Sequence, residues 1–260
     1  MTRFTLSRRT FLTGATLAST ASLTGCFDGL GDRDSHVRNV LEMANSVTYR
    51  VQRTLLGNTD LAREYSESEI RQPQRPNGTT DPTDDDYLTL ASGHFAGYRL
   101  TIGGLVEKPQ SFSLDEIRAM PSRTQITRHD CVEGWSCIAK WTGVQLFRLL
   151  DQAQVKPAAR YAVFACFDTM EQGLDGPIKY YESIDLMDAH HPQTILAYGL
   201  NDRALPVSNG APLRVRVERQ LGYKMAKYIK SITLVNDFAS YGYGNGGYWE
   251  DNGYDWFAGI

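Results

Sequence analysis

Short strand-like segments recur along the chain, and they outnumber the helical segments without alternating regularly with them. "YRLTIGGLV" alternates Leu100 and Ile102 with polar neighbours and stops at glycines, which predicts a strand. "RYAVFACFD" predicts a buried strand, and "AKYIKSITLV" predicts another. A regular alternation of strands and helices would favour a doubly wound parallel sheet, so this order predicts a mixed α+β domain instead.

Two segments carry the signals of helix starts. In "SFSLDEIRAMP", Ser113 and Glu116 form a capping box, and Pro121 ends a short helix. In "WTGVQLFRLLDQAQV", Thr142 and Gln145 have the same spacing and predict that a second helix begins at Thr142. The apolar stripe of this second helix consists of Leu146, Leu149, Leu150 and Ala153.

The segment "APLRVRVER" alternates apolar and charged residues. Leu213, Val215 and Val217 occupy one face, while Arg214, Arg216 and Glu218 occupy the other. This period of two predicts a half-buried strand. Before it, "TILAYGLNDRALP" predicts a strand interrupted by a turn.

The N-terminus has the features of an export signal. "SRRTFL" resembles a twin-arginine signal, with Arg8 and Arg9 as the pair, and a weakly apolar stretch of small residues follows. "LTGC" resembles a lipobox, which would make Cys26 the lipidated first residue of the exported chain; an ordinary signal that ends near a cysteine is the alternative. We therefore expect a periplasmic protein, or one on the outer face of the membrane.

Four regions follow from these patterns. Residues 1–26 are the signal, and residues 27–86 form an extension and linker with a helix near residues 37–56. The Pro-, Asp- and Thr-rich stretch 71–86 predicts a loop. Residues 87–240 form the folded domain, and the Gly- and aromatic-rich residues 241–260 form a tail that packs as an irregular flap.

The charge balance limits the kinds of partner. After residue 26 the chain carries 24 basic and 30 acidic residues, a net charge of −6. A mildly acidic surface argues against nucleic acid as the main partner. No stretch of this part approaches the roughly 20 apolar residues of a membrane span.

The segment "TRHDCVEGW" places a thiol, Cys131, among polar side chains. A disulfide with Cys137 and a nucleophilic cysteine beside a histidine are two explanations. A zinc site of His129, Cys131 and Cys137 is a third, although its spacing matches no common closed zinc pattern. The fourth is a single thiolate ligand to a redox metal whose other ligands belong to a cofactor.

Four blocks, in order, resemble the sulfite oxidase family of molybdopterin enzymes. They are "HDCVEGWSCIAKWTGVQLFRLL", "YYESIDL", "HPQTILAYGLNDRALPVSNGAPLRVRV" and "QLGYKMAKYIKSITLV". The similarity runs from about residue 87 to residue 235 and is greatest to exported bacterial members, which include protein-methionine-sulfoxide reductases. It implies the α+β fold of that family, with mixed sheets and short helices.

The resemblance also implies a molybdenum-molybdopterin cofactor. Cys131 matches the cysteine that holds the metal, a soft thiolate beside the soft dithiolene of the pterin. Glu133 matches a residue beside the metal, and His129 lies on the same side of its strand as Cys131; both are expected to assist proton movement. The residues implied in cofactor binding are Asn77, Cys166, His191, Asn209, Gly210, Arg214, Gly222, Tyr223, Lys224 and Lys227.

The departures from the family bear on the reaction. Sulfite-oxidising members carry an arginine-rich stretch after the cysteine, whereas "CVEGWSCIAKW" offers only Lys140. We therefore expect oxygen-atom transfer that reduces an S-oxide or N-oxide, small or protein-bound. Sulfite-like oxidation and a cofactor-free binding module are the alternatives. The sequence holds no C-x-x-C-H haem motif, so a separate redox protein is the expected electron partner. A monomer is the expected oligomeric state.

Overall fold

The computed structural model describes residues 36–55, 57 and 59–260. The chain divides into two compact units, residues 1–55 and 56–260. In the first unit, helix α1 spans His36–Leu55, close to the predicted helix. The twin-arginine segment and Cys26 lie outside the described residues.

One five-stranded sheet forms the hydrophobic centre of the second unit. Its strands are β1 (Arg99–Gly104), β2 (Gln110–Ser113), β5 (Tyr161–Gly173), β6 (Gly176–Asp185) and β10 (Ile229–Val235), in the order β2-β1-β10-β5-β6. The pair β1–β10 is parallel and the other pairs are antiparallel. This mixture of directions matches the predicted α+β class.

The second sheet contains the hairpin that ends in Cys131. Its strands are β3 (Ser122–Cys131), β4 (Trp135–Gln145), β7 (Ile195–Leu200), β8 (Arg203–Ala204) and β9 (Arg214–Arg216). The order is β3-β4-β7-β8, and β9 also pairs with β7. At the turn end of the β3–β4 hairpin, Cys131, the last residue of β3, pairs with Trp135, the first residue of β4.

Short helices cover or connect the sheets. They are α2 (Asp85–Ser92), α3 (Leu114–Ala119), α4 (Leu146–Ala153), α5 (Leu186–Ala189) and α6 (Tyr248–Asp251). The capping box of α3 is present as predicted, because Glu116 N donates to Ser113 Oγ over 3.2 Å and Ser113 N donates to Glu116 Oε2 over 2.6 Å. No helix among the described residues is long and apolar enough to cross a membrane.

The predicted start of the second helix is wrong. Thr142 lies within β4, where its hydroxyl is 2.9 Å from that of Thr124, and helix α4 begins only at Leu146. The pairing of β4 with β7 holds residues up to Gln145 in extended conformation. The helix therefore begins after this pairing ends and not at the local capping signal. The predicted stripe of α4 is buried as expected.

The predicted half-buried strand is also different. Only Arg214–Arg216 forms a strand, and both of its faces are buried. Arg214 and Arg216 place their guanidinium carbons 5.0 and 4.4 Å from the ring centroid of Trp141. Arg216 is paired with the buried Glu218, with 2.6 Å between Nη2 and Oε2. Buried arginines are uncommon, so the two charges mark a specialised region of the core.

Residues 59–86, which were expected to form part of a linker, belong to the second unit and pack against its second sheet. Tyr65 N donates to Ile126 O over 2.9 Å, and Arg71 N donates to Ile138 O over 3.0 Å. Helix α2 was missed within the polar run, although Asp84 caps it by accepting from Tyr87 N over 2.9 Å. An N-cap aspartate followed by two acidic residues is itself a helix-start signal.

Candidate active site

Cys131 lies where β3 gives way to the hairpin turn. Gly134 N donates to Cys131 O over 3.0 Å, and Gly134 has φ +84°, a conformation that favours glycine. The Cys131 thiol is half-buried and free, and the thiols of Cys137 and Cys166 are free and buried. Burial raises the pKa of the Cys131 thiol, so it is protonated until a cation binds and displaces the proton.

A cavity of about 100 Å³ opens beside Cys131. Its wall combines two short segments of sequence, residues 77–79 and 131–133, with side chains from β5, β6, the residues after β9 and the C-terminal tail. The lining residues are Asn77, Gly78, Thr79, Cys131, Val132, Glu133, Asp168, Met170, Tyr180, Tyr223, Met225, Lys227, Trp249 and Tyr254. Five of the predicted site residues therefore line one cavity: Asn77, Cys131, Glu133, Tyr223 and Lys227.

Glu133 and His129 have different surroundings. Glu133 is exposed at the cavity, where its Oε2 accepts from Trp135 Nε1 over 2.9 Å. His129 is buried and does not line the cavity; its Nδ1 is 2.9 Å from Nη1 of Arg216. Burial, followed by Arg216, lowers the pKa of His129 well below its usual value, so the imidazole is neutral. The prediction that His129 moves protons at the metal is not supported by this position.

Arg214 joins the predicted pterin-binding loop to Asn77. Its Nη1 donates to Asn209 O over 3.0 Å, and its Nη2 donates to Asn77 Oδ1 over 3.2 Å. Burial, with a contribution from Arg216, lowers the pKa of Arg214 to about 9. Gly210, at φ +114°, lets this loop approach closely, since a Cβ there would lie 3.0 Å from Lys227 Cβ. The structure thus brings Asn77, Asn209, Gly210 and Arg214 together.

Lys227 and Asp168 are buried titratable groups in the cavity wall. Lys227 Nζ donates to two backbone carbonyls, those of Thr79 and Ser208. Burial and the charge of Arg214 lower the pKa of Lys227 to about 7. Burial raises the pKa of Asp168 to about 6. A cation held mainly by carbonyls is suited to receive an anionic ligand.

The turn Gly222–Lys224 is close to the cavity, but Lys224 points elsewhere. Its ammonium is buried between the carboxylates of Glu182 and Glu250, so its charge is already compensated. Gly222 has no room for a side chain, because a Cβ there would lie 2.3 Å from Cε1 of His129. Tyr223 contributes its ring to the cavity wall and donates its hydroxyl to Asp255 O over 2.6 Å.

Two further predicted residues lie outside the cavity wall. Cys166 is buried in β5, opposite Ile229 of β10, and burial raises the pKa of its thiol well above the usual value. His191 is buried with Nε2 3.1 Å from Asp60 O, and its Nδ1 accepts from Gln193 N over 3.2 Å. His191 therefore holds the start of the second unit, at residue 60, in place and does not line the cavity.

Sequence reasoning missed several cavity residues. Asp168 ends a segment predicted only as a buried strand, and Met170, Tyr180 and Met225 had no predicted role in the site. Trp249 and Tyr254 belong to the tail, where their rings stack with centroids 5.2 Å apart and 28° between planes. A buried aspartate in an apolar strand is the one signal that could have been noticed, because an unpaired acid is rarely buried.

The residues present fit the cofactor that the family resemblance implies. Asp168 Oδ1, Asn209 Nδ2 and Arg214 Nε are buried without a hydrogen-bond partner in the described structure. Such atoms need a partner, and a polar ligand with an anionic group would supply partners beside Lys227.

Comparison with known proteins agrees with this chemistry. The family model of the oxidoreductase molybdopterin-binding domain matches residues 89–243. A protein of Azospira oryzae, provisionally named protein-methionine-sulfoxide reductase subunit YedZ1, is 37% identical over 97% of this chain and 88% of its own length. The chain belongs to this family, and it is a molybdopterin-dependent oxidoreductase of the sulfite oxidase type.

Three other comparisons are partial. The protein-methionine-sulfoxide reductase catalytic subunits MsrP of Ralstonia nicotianae and Xanthomonas axonopodis are 35% and 38% identical over 54% and 53% of this chain. The chain spans less than half of those relatives, 44% and 45%. The sulfane dehydrogenase SoxCD of Paracoccus pantotrophus is 23% identical, with a TM-score of 0.48 over 55% of this chain and 39% of its own.

Proposed function

We propose that the protein is an exported reductase of S-oxides, with methionine sulfoxide, free or in a protein, as the favoured substrate class. The observation that carries the proposal is the composition of the cavity at Cys131. Its lining includes two methionines and four aromatic rings, but only one cation, Lys227. An anionic substrate such as sulfite would favour several cations, whereas an apolar thioether group suits aromatic and methionine side chains.

The names of the relatives support the same substrate class. The Azospira, Ralstonia and Xanthomonas proteins are all named for protein-methionine-sulfoxide reductase. In such a reaction the S–O bond breaks, two electrons and two protons are consumed, and a thioether and water leave. The bound molybdenum cofactor supplies the two-electron chemistry.

The residues of the chain have separate roles in this proposal. Cys131 holds the metal, and the pair Arg214–Lys227 provides positive charge for the anionic part of the pterin. Glu133 and Asp168 are the two carboxyls at the cavity. Since burial raises the pKa of Asp168 to about 6, this carboxyl can hold and release a proton near neutral pH.

We also propose the place of the reaction and the source of its electrons. The twin-arginine motif supports export, and Cys26 supports a lipid anchor at the outer face of the membrane. A separate redox protein would deliver the electrons. Two relatives are named catalytic subunits, which indicates that those proteins work with another subunit.

Turnover with artificial redox partners tests the proposed reaction. Purified holoenzyme should oxidise reduced methyl viologen when methionine sulfoxide is added, and it should transfer electrons from sulfite to ferricyanide far more slowly. Cys131→Ala should remove turnover while circular dichroism shows a folded chain. Cys137→Ala is the matched control, because Cys137 is a free thiol on the same hairpin outside the cavity wall. Faster sulfite oxidation, or turnover retained by Cys131→Ala, would overturn the proposal.

A further inference from the structure

Helix α1 presents a continuous apolar face to solvent. Six large apolar side chains of this helix are between 47% and 75% exposed: Val40, Leu41, Met43, Val47, Val51 and Leu55. At 3.6 residues per turn these positions share one side of the helix. An exposed apolar patch of this extent on a water-soluble surface marks an interaction site.

Two threonines on or beside this face do not require water. Thr48 donates its hydroxyl to Ala44 O over 3.0 Å, and Thr54 donates to Arg50 O over 2.7 Å. Each hydroxyl is therefore satisfied by the preceding turn of the helix. The face can enter an apolar environment without leaving these two donors unpaired.

The remainder of the helix is polar and cationic. Its sequence contains three arginines and one glutamate, a net charge of +2. Arg53 packs over the ring of Tyr49, with 5.3 Å between the guanidinium carbon and the ring centroid. An apolar side opposite a cationic side is the pattern of helices that lie in the surface of an anionic bilayer.

We propose that α1 lies flat in the surface of an anionic lipid bilayer, with its apolar face among the acyl chains and its arginines at the headgroups. Twenty residues give a helix about 30 Å long, and the helix is not apolar enough to span. The predicted lipid site, Cys26, lies ten residues before it. A helix in the bilayer surface would add a second membrane contact to that predicted anchor.

The shape of the apolar face favours a bilayer over a partner helix. In a coiled coil the positions that flank the apolar seam carry charged or polar side chains. When Val40 and Val47 are placed at the d positions of a heptad, Leu41 and Leu55 fall at the flanking e positions and Met43 at a flanking g position. All three of these flanking residues are apolar. The face is therefore wider than a coiled-coil seam, as an acyl environment allows.

Amide hydrogen exchange of residues 36–55 tests the proposal in the full chain with Cys26→Ser, which removes the lipid site. Vesicles of phosphatidylglycerol should slow exchange in this peptide about tenfold or more, and phosphatidylcholine vesicles should slow it less. Val47→Glu should abolish the slowing. Ser46→Glu should keep most of it, because this matched control adds the same charge at an exposed neighbouring position off the apolar face.

Two results would overturn the proposal. One is unchanged exchange on addition of anionic vesicles, or an equal loss of protection in Val47→Glu and Ser46→Glu. The other is protection that depends on protein concentration without vesicles, which would make a second copy of the chain the occupant. The exchange measurement does not involve turnover. A negative result would therefore count against the membrane contact and leave the proposed reaction untouched.

Discussion

Lys224 and Lys227 are three residues apart, and the fold gives them opposite environments. Burial alone would lower the pKa of Lys224, but Glu182 and Glu250 raise it, so the ammonium remains charged. Burial and Arg214 lower the pKa of Lys227, whose Nζ donates to two carbonyls and lies 5.0 Å from the centroid of the Tyr228 ring. The first lysine thus stabilises the fold through its two carboxylates, whereas the burial cost of the second would be offset by an anionic ligand.

The two lysines should respond oppositely to removal of their charge. Lys224→Met should lower the free energy of unfolding by roughly 3–5 kcal/mol, because it leaves buried carboxylates uncompensated. Lys227→Met should leave the cofactor-free chain equally or more stable and should reduce the pterin content of protein purified from cells. Urea unfolding and released pterin fluorescence measure the two effects. A folded Lys224→Met chain that lacks pterin would instead support the predicted role of Lys224 in cofactor binding.

Asp168 should make the stability of the cofactor-free chain depend on pH. Its pKa is raised to about 6 in the folded state, against about 3.9 when unfolded. The folded state therefore binds the proton more tightly, and stability falls as pH rises from about 4 to about 6. Asp168→Asn should raise the free energy of unfolding above pH 6 by up to about 3 kcal/mol and change it little near pH 4.

Asp115→Asn is the control for this measurement, because the Asp115 side chain is 94% exposed. It should change stability little at either pH. An equal effect of Asp168→Asn at pH 4 and pH 8 would show that Asp168 does not carry the shifted pKa.

Among the elements, the C-terminal tail contributes two side chains, Trp249 and Tyr254, to the cavity wall. Two residues directly after Trp249 anchor the tail: Glu250 of α6 accepts from the buried Lys224, and Asp251 accepts from the hydroxyl of Tyr181. These two contacts therefore hold the Trp249 side chain against the cavity.

Trp249→Ala should weaken substrate binding without unfolding the chain. Loss of one large apolar contact should raise KM for methionine sulfoxide about tenfold or more, with a smaller change in kcat. Tyr243→Ala is the matched control, since Tyr243 belongs to the same tail, is 76% exposed and does not line the cavity. An equal KM in both variants would remove Trp249 from the substrate site.

The elements also show which predictions the sequence could support. Strands and the α3 capping box followed from local patterns, because side-chain period and capping depend on neighbouring residues. The start of α4 did not, since the pairing of β4 with β7 overrides the signal at Thr142. The burial of Arg214 and Arg216 did not either, because it depends on Trp141, about 70 residues earlier in the chain.

The residues of the candidate site were likewise predictable only where they are neighbours in the sequence. Cys131 and Glu133 lie in one turn, so a short motif was enough to predict both. Asp168 and Trp249 reach the cavity only through the tertiary fold; the acid in an apolar strand marks Asp168 as unusual, but no local pattern places either residue at Cys131. His129 obeys strand alternation but is diverted into a buried contact with Arg216, which a period of two cannot reveal.

For the whole molecule, family membership and the cavity together imply a chain that binds a molybdenum cofactor. Several features of the second unit are unfavourable without a ligand. They are the buried Lys227, the raised pKa of Asp168 and the unpartnered Arg214 Nε and Asn209 Nδ2. A bound polar cofactor would give these buried groups hydrogen-bond and charge partners. Cofactor binding should therefore raise the melting temperature of the chain.

Metal and pterin analysis of the protein expressed through its own N-terminal segment tests the central claim most directly. We predict about one molybdenum atom per chain together with a fluorescent pterin released by oxidation, and neither in Cys131→Ala. Cys137→Ala should retain both. A folded wild-type chain that holds zinc, or no metal and no pterin, would contradict the account, because the cavity would then preserve the architecture of the family without its chemistry.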